Sequence, residues 1–196
     1  MRLLLGFVLM IICSTAIGQT PPTRSWVDSE VKYTDSLGNI IMVYNSLPRG
    51  GGSFIELEGK KYSYVIFWTR VINESETPVE LDIKFPPDSF AIFPEPGSYI
   101  RIFMPADTMS VDKIQVMDYG LSNLQSSVNA WFRKPSMMKK TMRFKEECIF
   151  YVAVLFNDVR GSARSALIIK GNDLLYKMGV GPHSALIPCG RIARSE

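Results

Sequence analysis

Residues 62–85, YSYVIFWTRVINESETPVELDIKF, constrain the fold more than any other stretch of this chain. In the second half Val79, Leu81, Ile83 and Phe85 alternate with Glu80, Asp82 and Lys84, the period of two that sends successive side chains to opposite faces of a strand. One face of that strand is buried and the other is wet. In the first half Val65, Phe67 and Val71 share one side while Tyr64, Ile66, Trp68 and Ile72 share the other. Neither side is polar, so this strand belongs in the middle of a layered structure. The intervening NESETP, 73–78, is too polar to bury and long enough for a hairpin or a crossing between sheets.

A second near-continuous apolar run, CIFYVAVLF at 148–156, is rich in β-branched and aromatic residues and reads as another central strand. Shorter strands are predicted at 31–35 and 40–45 around Gly38-Asn39, at 54–58, at 163–170 and 174–180 around Gly171-Asn172, and at 184–188. The run 47–52 ends in Gly50, Gly51 and Gly52 and is predicted to be a loop, because successive glycines lose the most backbone entropy on ordering. Pro86, Pro87, Pro94, Pro96 and Pro105 confine the apolar groups at 90–93 and 99–104 to sheet edges or loops. Leu121, Leu124, Val128, Trp131 and Phe132 recur at helical spacing before Pro135, which predicts one short helix across an end of the sandwich.

About ten short strands without an internal repeat predict an all-β, mainly antiparallel fold, an immunoglobulin-like β-sandwich with one short helix. The likeness is architectural: Trp68 lies outside the interval between Cys148 and Cys189, so the cysteine and tryptophan spacing of true immunoglobulin domains is absent.

The chain opens with Arg2, an apolar run at 3–12 and small residues ending at Gly18, the pattern of an export signal cleaved near Gly18. A membrane-spanning helix needs about twenty apolar residues, so that run is too short for a permanent anchor. The expected product is secreted or periplasmic, with a disordered lead-in at 19–25 and a single domain at 26–196. Removal of 1–18 leaves 21 basic and 19 acidic residues, a balance that calls for no nucleic acid. Cys148 and Cys189 then remain as a pair in an oxidising compartment and read as a disulfide. Such a bridge would close a loop of roughly forty residues, for which chain entropy gives about 4 kcal/mol.

Signatures of catalysis are missing. His183 is the single histidine, so no histidine cluster can ligate a metal, and no serine lies in a GxSxG elbow. No cofactor is expected. Glu56, Glu58, Glu80 and Asp82 read as solvated strand faces rather than a glycosidase pair. Three features carry binding chemistry. The amides of Gly50, Gly51 and Gly52 beside Arg49 form either an anion-binding concavity or a plain connector. Arg133, Lys134, Lys139, Lys140, Arg143 and Lys145 lie in a stretch with no acid, which suits an anionic partner or a charge-guarded sheet edge. Tyr62, Tyr64 and Trp68 share one strand face, as a sugar platform or as core. The expected role is non-catalytic contact with a protein or an anionic envelope surface; a carbohydrate-binding module is second and a hydrolase without a recognisable motif third.

Overall fold

The computed structural model describes residues 26–94, 97–157 and 161–194, leaving aside the side chains of 52–54. The predicted signal at 1–18 and lead-in at 19–25 lie outside the described residues. The strands are β1 (Val27–Thr34), β2 (Ile40–Ser46), β3 (Arg49–Leu57), β4 (Lys60–Asn73), β5 (Val79–Phe85), β6 (Ser89–Phe90), β7 (Tyr99–Phe103), β8 (Ser136–Met142), β9 (Glu147–Asn157), β10 (Ala163–Lys170), β11 (Asp173–Val180) and β12 (His183–Arg194). One helix, α1 (Leu124–Trp131), follows two short 3₁₀ turns at Val111–Gln115 and Met117–Gly120.

The larger sheet has the order β1-β2-β4-β9-β7-β6, with β3 added to the free half of β4; the smaller has the order β10-β11-β12-β5-β8. Every pairing is antiparallel. β4 and β9 form the spine of the larger sheet, in register from Ser63↔Phe156 to Ile72↔Glu147. Residues 74–78 carry the chain from β4 in one sheet to β5 in the other, so the polar NESETP run is a crossing.

The two sheets face one another over an apolar core. From the larger come Val43, Phe67, Val71, Ile100, Val152 and Val154, and from the smaller Leu81, Ile83, Phe85, Leu174, Tyr176 and Met178. At one point the smaller sheet tolerates only glycine. Gly190 bulges out of β12 with φ +135°, and a Cβ there would stand 2.0 Å from the Asp82 carbonyl oxygen on β5.

β4 and β9 are apolar on both faces because a third layer covers the far side of the larger sheet. Residues 105–132 lay Met109, Ile114, Tyr119, Leu121, Leu124 and Val128 over Tyr62, Ile66, Trp68, Tyr151 and Leu155. The helix therefore covers a sheet face rather than an end of the sandwich, which is what a strand without a polar side required. This layer is irregular, so side chains supply the bonds that a ladder would have made. Tyr119, in the left-handed region at φ 55°, donates its hydroxyl to the Leu47 carbonyl at 2.6 Å. Its own carbonyl accepts the Tyr151 hydroxyl at 2.6 Å.

Two sequence expectations are corrected here. The glycine run is a bulged strand, not a loop: Arg49 pairs with Ile66 and Gly50 with Val65, and the register then shifts before Phe54↔Ser63. Gly50 is possible there because its φ of +90° and the Tyr64 ring and carbonyl, 3.0 Å from where a Cβ would sit, leave no room for a side chain. Cys148 and Cys189 are both free, buried thiols. Cys148 lies on β9 with its Sγ 3.6 Å from Met138 Sδ on β8, whereas Cys189 lies on β12, on the far side of β5 from β8.

Candidate functional site

The three binding features meet different fates. Tyr62 and Trp68 are 2% and 1% exposed, and Tyr64 is half-buried beside them under the covering layer. They share the predicted face, but that face is covered and offers no flat surface to a sugar. Burial pushes the Tyr62 hydroxyl up to about 12, assisted by its hydrogen bond with Tyr99.

Arg49 is committed as well. Its guanidinium stacks 3.7 Å from the Trp26 ring centre and 5.2 Å from that of Tyr119, a cation–π arrangement that staples β3 to the covering layer. Gly50 lies in a bulged, paired strand rather than an open loop. His183 begins β12 and packs edge-on against Phe93. Cys189 is six residues further along an extended strand, about 20 Å away, so the two form no dyad. Glu58 and Glu80 are paired with Arg133 at 2.6 Å and Lys139 at 2.9 Å. Among the described residues no group of His, Cys, Asp and Glu gathers as a metal site.

A cleft of 720 Å³ opens at one end of the sandwich, where the β1–β2 and β10–β11 turns meet the end of β12. Its only charges, Asp35 and Arg194, are bonded to each other. Desolvation pushes the Asp35 carboxyl up, but hydrogen bonds from Asn39, Arg194 and Leu37 outweigh it and hold it well below the usual carboxylate range. The cleft presents a closed ion pair among mixed walls, with Thr34, Asn39 and Asn172 beside Ile41, Ile169 and Ile192.

The basic stretch is different. Residues 136–142 form β8, an edge strand whose single neighbour is β5. Of its cations and those flanking it, Arg133, Lys139 and Lys145 are paired with Glu58, Glu80 and Glu74. Lys134, Lys140 and Arg143 are exposed and have no carboxylate partner among the described residues. Between β8 and the start of β9 lies a groove of 460 Å³ whose walls include Met104, Met109, Met137, Met138, Cys148 and Lys140. Burial raises the pKa of the Cys148 thiol, with Lys140 acting in the opposite sense, so the thiol stays protonated and serves as an apolar surface at neutral pH.

The basic run was legible in the sequence, and so was its edge-strand character. The methionine groove beside it was not, since Met104, Met109 and Met138 are scattered through the chain and meet only when the two sheets are stacked. Comparison with protein-family models, with curated proteins and with solved structures found no match to this chain.

Proposed function

We propose that this chain is an exported, immunoglobulin-like β-sandwich module that works without catalysis, by contact with a protein at the cell envelope. The observation that carries the reading is the edge at β8. Lys140 lines a groove with several methionine walls, and Lys134 and Arg143 flank its strand, all three exposed and without a carboxylate partner among the described residues. Unpaired cations on an edge are free to steer an acidic partner, and methionine accommodates irregular apolar surfaces. Strands that switch between two facing antiparallel sheets support the immunoglobulin-like assignment. The basic, apolar and small-residue order of positions 1–18 supports export. Burial of Tyr62 and Trp68 removes the aromatic surface on which a carbohydrate-binding role depended.

A photo-crosslinking amino acid placed at Lys140 in the native host, with Lys177 on the outer face of the smaller sheet as control, tests the reading. The expected result is a discrete protein adduct at position 140 alone, in the exported fraction and weakened by salt. Adducts of equal yield at both positions, or none together with selective binding on a glycan array, would refute contact through this edge.

A further inference from the structure

The larger sheet is unfinished on one side. β9 pairs with β4 from Glu147 to Phe156, but β7 accompanies it only from Ala153 to Asn157. Residues 147–152 have no strand on the β7 side among the described residues. β7 cannot continue along them. The Met104 N–H is turned away to Ser136 Oγ on β8, at 2.9 Å, and Pro105 follows with no N–H to give. Six residues of bare strand are about 20 Å long.

The usual guards of an open edge are absent from this one. Natural edges carry lysine, proline or bulges that discourage pairing, whereas 147–152 reads Glu-Cys-Ile-Phe-Tyr-Val and its one charge is bonded to Arg70. The neighbouring edge of β8 does carry such guards, in Lys139 and Lys140. The groove between the two edges has the walls that alternate side chains of an added strand would need: Met104, Met138 and Cys148 toward the inter-sheet core, and Met109 and Tyr151 toward the covering layer. Its β8 wall is basic. Lys140 lines it, with Lys134 before the strand and Arg143 after it, all without carboxylate partners among the described residues. Asp107 belongs to the opposite wall, and Glu146 at the β8–β9 turn is occupied by the Arg143 backbone N–H.

We propose that residues 147–151 of β9, which line this groove, are a strand-acceptor site. It takes an extended, apolar segment of a partner protein flanked by acidic residues, which adds to the larger sheet in line with β7 and presents its acids to Lys134, Lys140 and Arg143. The inference rests on the contact reading above and names its mode, in which main-chain hydrogen bonds give affinity and the methionine pockets give selectivity.

The test uses the soluble chain 19–196 and the synthetic peptide acetyl-EEVTITVTEE-amide. Binding is expected by calorimetry or fluorescence, with slowed amide exchange confined to 147–151 and the facing side of the groove. N-methylation of alternate peptide amides should weaken binding by about tenfold or more, because it deletes ladder hydrogen bonds while keeping every side chain. Lys140→Glu, at an exposed position where circular dichroism should show an unchanged fold, should weaken it by about threefold or more, less so at high salt. Equal binding of the methylated peptide, protection elsewhere on the surface, or no binding at all overturns the strand-acceptor site. If the position-140 adduct nonetheless forms in cells, contact through this edge stands and only its strand-addition mode is lost.

Discussion

The two lateral edges of the sandwich are built on opposite plans. At the edge where β10 meets β1 and β2, polar groups cross from sheet to sheet. Buried Asn45 on β2 accepts the Leu167 N–H of β10 at 2.8 Å and the Thr69 hydroxyl at 3.3 Å, and donates to Ser29 at 3.1 Å. Arg164 of β10 reaches Asp28 of β1 at 3.1 Å. At the edge where β8 meets the larger sheet, the contacts include the Met104 N–H to Ser136, a sulfur contact between Met138 and Cys148, and at one end the Asn73 amide donating to the Met142 carbonyl at 3.0 Å. The first edge ties its two sheets together through buried polar groups and an ion pair. The second leaves 147–152 without a strand on the β7 side and Lys134, Lys140 and Arg143 without carboxylate partners among the described residues, the features on which the proposed recognition rests.

Asn45→Ala strikes hardest at this contrast. It strands the buried Leu167 N–H and the Thr69 hydroxyl at once, and should cost about 2–4 kcal/mol in urea unfolding. Amide exchange should rise first in β10. A cost under about 0.5 kcal/mol, the range of an ordinary surface change, would show that Asn45 does not close that edge.

Ser136→Ala is the matching lesion at the open edge. It removes the acceptor for one buried N–H, that of Met104, and should cost about 1–2 kcal/mol by the same measurement. If its cost equals that of Asn45→Ala, the two edges are equally closed and the contrast fails.

Lys140→Glu should change stability by no more than about 0.5 kcal/mol, since the side chain is exposed and unpaired. Its effect belongs to binding alone. A stability loss as large as that of Ser136→Ala would assign Lys140 to the scaffold.

The smallest effect lies in the exposed cleft at the end of the sandwich. Asp35, on the turn after β1, has its pKa held down, so the stabilisation from its bonds is fully present above the ordinary carboxylate pKa of about 3.9. It fades as pH falls through the lower, folded value. Carbon NMR should place the Asp35 titration below the ordinary value, and Asp35→Asn should remove its part of the acid dependence of stability. A normal midpoint would detach the turn from β12.

Much of the strand plan was legible. The alternation from Val79 to Phe85 gave β5 its bounds, and the missing polar side of Trp68 and its neighbours revealed a strand covered twice. The nature of the second cover was hidden, because Tyr119 and the turns around it have no period to read and take their conformation from Leu47 and Tyr151. The glycine run was misread because the entropy cost of ordering it is offset by pairing with β4, which no local rule counts. Cys148 and Cys189 were paired on compartment and number, whereas the folded chain sets Cys148 against Met138 of β8 and leaves both thiols free. Of the candidate site, the cations of β8 could be read from their own stretch, while the groove beside them could not.

Sequence alone determined which segments become strands, which of their faces seek cover, and where a run of cations lies without acids. These depend on side-chain period and charge along a short piece of chain. Tertiary structure decided what covers each face, which thiols are neighbours, and that β7 departs from β9 at Met104. A missing neighbour is a property of how two sheets are stacked, and no single segment encodes it.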